Sequence, residues 1–135
     1  GITLVLPDYA TYTEVEAGTS GIITLEGDMR MVSVVARDFS SFDESNYDTL
    51  NQMTIAAILE EYEYSDEEGY TVTVGGETAQ TVLCTVTNEG VVQTWMVLAF
   101  IHEGTQYAFL YAQTLGAAGD SADFIQILEN VSYAE

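Results

Sequence analysis

Cys84 and His102 are the only cysteine and histidine in the 135 residues, so Cys–His nucleophilic chemistry would have to be carried by this one pair. Such a dyad needs thiol and imidazole within hydrogen-bond reach, about 3 Å or somewhat looser without substrate. Residues 77–87, 91–101 and 105–114 read as three antiparallel strands joined by Thr87-Asn88-Glu89-Gly90 and Ile101-His102-Glu103-Gly104. A polar pair followed by glycine fits a type I turn with a left-handed glycine, which sets Cys84 opposite Thr94. His102 then lies far along that strand, on the order of 26 Å away at about 3.3 Å per residue. The spacing excludes the dyad. Cys84 stands between Val82 and Val86 on one strand face and reads as a small core hydrophobe. His102 reads as a solvated turn residue. His102-Glu103 opens the His-Glu-x-x-His zinc pattern, but Gln106 occupies the second histidine position.

Carboxylates are the second candidate chemistry. The chain carries 22 Asp and Glu against 2 Arg and no Lys, a formal net charge of -20. Glu60, Glu61, Glu63, Asp66, Glu67 and Glu68 crowd the stretch after a predicted helix, where the helix dipole already disfavours negative charge. A calcium ion would reverse that penalty, because it takes six to eight oxygen ligands. The alternative is a solvated acidic loop screened by counterions. Glu44, Asn46 and Asp48 imitate the opening of a calcium loop, but Thr49 replaces its glycine and Ile55 its final glutamate. A carboxylate-dependent hydrolase would need two of these acids facing each other in one pocket, and no spacing shows such a pair.

Aromatic residues supply a third candidate, a binding surface. With type I turns, one side of the three strands carries Val82, Cys84, Val86, Val92, Met96, Leu98, Phe100, Ala108, Leu110 and Ala112. The other carries Leu83, Trp95, Val97, Tyr107, Phe109 and Tyr111, with Trp95 beside Tyr111 and opposite Leu83. Amphipathic rings among Thr81, Thr85 and Gln93 suit capture of a peptide, glycan or partner loop. They suit equally the underside of a helix whose Phe124 and Leu128 need a surface.

Several classes of partner and cofactor are excluded. A polyanion repels phosphate, so nucleic acid is a poor partner. One cysteine rules out an internal disulfide and a cysteine-built zinc or iron–sulfur site. No apolar run reaches the roughly 18 residues of a membrane span. No cofactor is expected, calcium excepted.

The elements that must position these residues follow from periodicity and turns. Residues 2–6 alternate as a half-buried strand stopped by Pro7-Asp8, and residues 11–16 form a second strand. Residues 22–26 and 29–37 read as a hairpin around Gly27-Asp28. A helix runs from near Asp48 to about Tyr62, with Ser45 or Asp48 as N-cap. Residues 70–74 are a strand ending at the turn Gly75-Gly76. Asp120 or Ser121 caps a last helix, with Phe124, Ile127, Leu128 and Val131 on one face. Strands grouped between helices and joined by hairpins indicate an α+β fold with an antiparallel sheet and helices on its faces. With no linker, no repeat and only Pro7 as proline, residues 1–135 are expected to form one such domain.

This order resembles the PsbP/Mog-like family, in its acidic bacterial lipoprotein branch (DcrB-type, LpqN-like). The resemblance rests on Ile2-Thr3-Leu4-Val5-Leu6-Pro7-Asp8, on Val74-Gly75-Gly76-Glu77-Thr78-Ala79, and on the closing residues Phe124-Ile125-Gln126-Ile127-Leu128-Glu129-Asn130-Val131-Ser132. Members of that family serve as photosystem accessory subunits, Ran-GTPase binders, secretion adaptors and lipoproteins. The resemblance therefore implies binding, not catalysis. Together with an acidic, lysine-free composition suited to salt screening, it gives the expectation of an exported, envelope-associated accessory domain. That domain would engage a protein or envelope component and be held by a lipid anchor upstream of Gly1. The cytoplasm of a salt-accumulating cell is the competing habitat, and a calcium-binding module or a carboxylate-dependent hydrolase the competing function.

Overall fold

Turn chemistry sets this architecture. The computed structural model describes residues 2–16, 19–26 and 29–133. The strands are β1 (Ile2–Thr3), β2 (Thr11–Glu16), β3 (Ser20–Glu26), β4 (Arg30–Asp38), β5 (Glu63–Val74), β6 (Glu77–Asn88), β7 (Val91–His102), β8 (Thr105–Thr114) and β9 (Ser132–Tyr133). Helix α1 (Tyr47–Leu59) links β4 to β5, and α2 (Ala122–Glu129) precedes β9. Seven strands form one antiparallel sheet in the order β2-β3-β4-β8-β7-β6-β5, and β1 pairs with β9 in a separate ribbon. The expected α+β class stands. The Gly27-Asp28 turn and Gly1 lie outside the described residues.

Three hairpins close through two-residue turns with both central residues at positive φ: Gly75-Gly76, Glu89-Gly90 and Glu103-Gly104. That is the signature of a type I′ turn, whose twist matches the flanking strands. The closing pairs are Val74 with Glu77, Asn88 with Val91 and His102 with Thr105. Type I geometry at Glu89-Gly90 and Glu103-Gly104 is therefore corrected, and each register moves by one residue. A slip of one residue turns every side chain of a strand to the other face. Cys84 lies opposite Trp95, not Thr94, and Trp95 lies opposite Ala112.

The sheet is consequently buried on both faces. Under α1 lie Cys84, Val86, Trp95, Val97, Ala99 and Ala108, packed against Ile55 and Leu59 of the helix. Under α2 and the N-terminal segment lie Met96, Leu98, Phe100, Tyr107, Phe109 and Tyr111, with Phe124, Ile127, Leu128 and Val131. β7 is buried on both sides from Trp95 to Ile101.

Other boundaries also moved. Residues 4–6 lie outside any strand, because β1 is only as long as its partner β9. Residues 63–68, expected as loop, are the first half of β5. Ladder bonds to residues 83–87 of β6 outweigh the low strand propensity of Asp and Glu. Neither Ser45 nor Asp48 caps α1; Asn46 precedes it without a side-chain bond, and Asp43 caps a short 3-10 turn by accepting from the Ser45 N–H.

With 22 acids and two arginines, the apolar faces must hold the sheet together against self-repulsion. Salt should relieve that repulsion. The melting temperature is expected to rise between about 10 and 500 mM sodium chloride, over which the screening length shrinks severalfold. A flat scan would show that repulsion is a negligible term.

Candidate functional site

The aromatic constellation divides between the two faces. Leu83, Tyr107, Phe109 and Tyr111 do share one, as the sequence indicates, but α2 and its neighbours cover it. Tyr111 stacks on Phe124 with ring centroids 5.0 Å apart, and Phe109 lies 6.4 Å from the same ring. Trp95 is on the opposite face beneath α1, only 5% exposed. Its indole N–H donates to Gln93 Oε1 at 2.9 Å, and Tyr62 meets it edge-on at 4.7 Å. These five residues form no exposed groove. The one-residue register shift carried Trp95 away from the tyrosines, and the helices occupy both surfaces.

Cys84 and His102 are kept apart, as expected. Trp95, the partner of Cys84, is separated from His102 by roughly 23 Å of strand at about 3.3 Å per residue. Burial, followed by the Glu67 charge, pushes the Cys84 thiol up, away from the reactive thiolate. His102 is not the solvated residue expected. It ends β7 with its Nδ1 3.1 Å from Glu77 Oε1, and its ring stacks on Tyr133 at 3.7 Å. These contacts join β7, the start of β6 and β9. A polar cavity of about 720 Å³ beside it is lined by Glu44, Asp48, Glu77 and Glu103 among others.

The acidic residues are distributed along an edge. Glu63, Asp66, Glu67 and Glu68 belong to β5, whose bulge at residues 65–68 puts Asp66 at φ 57°; Glu60 and Glu61 follow α1. Among the described residues no three His, Cys, Asp or Glu side chains converge in a way that could hold a metal ion. Calcium binding would need such convergent oxygens. An extended strand sends successive side chains to opposite faces, which spreads the carboxylates.

A feature the sequence reading missed lies at the other end of the sheet. Between the N-terminal segment and the β2–β3–β4 end runs a cleft of about 680 Å³. Ile2, Leu4 and Leu6 form one wall, Val34, Ala36 and Tyr107 the floor, and Tyr12 the far rim. Glu14, Thr19, Ser20 and Thr105 add polar groups at its margin. Gly21 makes the rim possible: a Cβ there would sit 2.4–2.6 Å from the Tyr12 ring and hydroxyl, so the ring lies flat on bare backbone. The sequence signal was present in the apolar alternation of Ile2, Leu4 and Leu6, read as a strand side instead of a wall.

The N-terminal segment is fastened through a buried arginine. Arg30, 6% exposed, donates from Nη1 to both carboxylate oxygens of Asp123, at 2.8 and 2.7 Å, and to the Asp120 carbonyl at 3.0 Å. The Tyr9 hydroxyl donates to the same carboxylate. Strand β4, helix α2 and the N-terminal segment therefore meet at Asp123.

No family model and no curated protein sequence matches the chain. Solved structures do. The solution structure of cyanobacterial PsbP (CyanoP) from Synechocystis sp. PCC 6803 superposes over 99% of this chain and 87% of that one, with a TM-score of 0.69 at 9% identity. The fold is PsbP-like. LpqN, involved in cell envelope biogenesis of Mycobacterium tuberculosis, matches over 97% of this chain and 82% of its own, with a TM-score of 0.56 at 16% identity. A protein from Bacteroides thetaiotaomicron VPI-5482 matches at a TM-score of 0.69 and 10% identity, and this chain spans only 45% of its length. At such identities the PsbP-like likeness concerns the backbone. The cleft, the Arg30 junction and the acidic edge are built from this chain's own side chains.

Proposed function

We propose that this chain is a non-catalytic, exported accessory domain that engages a protein or cell-envelope component through the apolar cleft at the β2–β4 end of its sheet. The cleft itself carries the reading. Its volume of about 680 Å³ falls within the roughly 300–1,000 Å³ of ligand pockets, and it pairs an apolar floor with a few polar groups at the margin. The LpqN-like and CyanoP-like backbone and the lysine-free composition support an envelope setting.

A neutral apolar fluorophore, N-phenyl-1-naphthylamine, tests it without charge repulsion. Its emission should rise and shift to the blue with the protein at about 10 μM, and Ala36→Phe, which fills the floor, should weaken that binding at least about fivefold. Tyr12→Ala should weaken it less, since the rim contributes one wall. Equal binding by the parent and Ala36→Phe proteins, or no binding by the parent, would remove the cleft as the site.

A further inference from the structure

β5 is the outermost strand at the end of the sheet opposite the cleft, and among the described residues no strand pairs with its outer side. Val74 and Glu77 close the two-residue turn, so Val74, Val72 and Tyr70 exchange their backbone bonds with β6. The alternation leaves the N–H and C=O groups of Gly69, Thr71 and Thr73 pointing away from the sheet. Val72 and Val74 pack into the α2-side cluster, so Thr71 and Thr73 stand on the α1 side. There α1 packs over β7 and β6, and a second cleft of about 420 Å³ remains beside β5. Ile55 and Leu59 of the helix and Gly69 and Thr71 of the strand line it. A Cβ at Gly69 would meet only the Thr81 carbonyl, at 4.0 Å.

An open edge invites unwanted pairing, and proteins guard edges with charge and bulges. Both devices are confined to one half of β5. Residues 63–68 carry four carboxylates and the bulge, with Glu60 and Glu61 close by in sequence. The sequence from Gly69 to Val74, Gly-Tyr-Thr-Val-Thr-Val, has no charge, no proline and no bulge. Two copies meeting at such an edge would bring together chains that each carry a net charge of -20. A strand that is neutral opposite residues 69–74 and basic opposite residues 63–68 meets no such opposition. Its backbone would complete the ladder, and one of its side chains would enter the cleft.

We infer that β5 takes up an extended basic segment of a partner protein as an eighth, antiparallel strand. This goes beyond the cleft at the other end of the sheet and stands independently of it. The probe is the capped peptide Thr-Val-Thr-Val-Thr-Lys-Val-Lys-Arg-Lys, whose basic end falls opposite residues 63–68 in an antiparallel ladder. On binding, the amides of Gly69, Thr71 and Thr73 should gain protection from hydrogen exchange while those of Tyr70 and Val72 change little. Affinity should fall about tenfold or more between about 50 and 500 mM salt. Thr71→Pro removes an outward N–H at an edge position where proline is tolerated, and should cost at least about tenfold. Gly69→Val fills the cleft with a strand-favouring residue, keeps the melting temperature and should cost severalfold; it decides the matter if Thr71→Pro unfolds. Absence of protection at Gly69, Thr71 and Thr73 at about 1 mM peptide would overturn the inference, as that concentration reaches even weak complexes. So would undiminished binding to Gly69→Val, which would mean adhesion of charge alone, or self-association of the protein through this edge.

Discussion

Arg30→Met should lower the stability of this protein by roughly 3–5 kcal/mol, the range for breaking a buried ion pair from one side. The methionine conserves much of the apolar stem, so the loss comes from Asp123. That carboxylate, 17% exposed as a side chain, would lose its guanidinium partner while remaining enclosed. The Asp120 carbonyl loses a donor as well, and Gly119, whose Cβ position lies 3.0 Å from the guanidinium carbon, loses the plane it rests on. Urea unfolding at neutral pH measures the effect. The double variant Arg30→Met/Asp123→Leu should recover most of it, because a removed pair leaves no buried orphan charge. A loss under about 1 kcal/mol for the single variant would show that water reaches Asp123 and that the junction is ornamental to stability.

The same junction fixes a pH dependence. Burial pushes the Asp123 carboxyl up, but the Arg30 hydrogen bond, the Tyr9 hydroxyl and the Arg30 charge outweigh it and hold the group below its usual value. The native state therefore binds fewer protons there than the unfolded chain. The stabilisation is complete above the unfolded value of about 3.9 and disappears as pH falls through the lower native value. The stability gap between the parent and Asp123→Asn should thus be constant from neutral pH to about 5 and close below about 4. Comparing the two proteins cancels the protonation of the other carboxylates, which the parent's acid titration alone would include.

Much of this fold was legible because its signals are local. The helix face of Phe124, Ile127, Leu128 and Val131 and the positions of the hairpins needed only period and turn residues. The assignment of β7 to a face failed for two physical reasons. Its residues 95–101 are all buried, so no alternation of apolar and polar residues could choose a side. The turns hold Glu89 and Glu103 at φ 52° and 47°, a left-handed conformation that glutamate does not advertise as Asn or Gly would. Because both neighbouring hairpins slipped by one residue, the errors cancelled between β6 and β8. Leu83 was correctly grouped with Tyr107, Phe109 and Tyr111, whereas the β7 residues were reversed: Trp95 and Val97 lie under α1, and Met96, Leu98 and Phe100 on the α2 side. The acidic run hid a strand for the opposite reason: its side chains oppose strand formation, and only pairing with β6 reveals it. Of the two clefts only the apolar wall of Ile2, Leu4 and Leu6 left a trace in the sequence, since the rest of each depends on where a helix or the N-terminal segment stops covering the sheet.

Gly75→Ala should be the most damaging change of a single methyl group in the three type I′ turns, at roughly 2–5 kcal/mol. Part of that is conformational and shared with its neighbour. Gly75 and Gly76 sit at φ 53° and 88°, and an alanine at either position bears the left-handed cost of about 1–2 kcal/mol. The rest is specific to Gly75. Its added Cβ would lie 2.5 Å from the Val131 carbonyl oxygen and 3.0 Å from the Tyr133 ring, whereas at Gly76 it meets nothing within 4 Å. The obstructed atom at 2.5 Å is backbone, so β9 must move as a unit. With it would go the Tyr133 hydroxyl bond to the Val74 carbonyl, the stack on His102 and the pairing that holds β1. The comparison of Gly75→Ala with Gly76→Ala therefore isolates the docking of the C-terminal strand from the geometry of the turn. Trp95, on the far face beneath α1, reports global unfolding, while exchange of the Ile2 and Thr3 amides reports release of the terminal ribbon. Equal destabilisation by the two substitutions would mean that β9 rests on the turn without contributing to the fold.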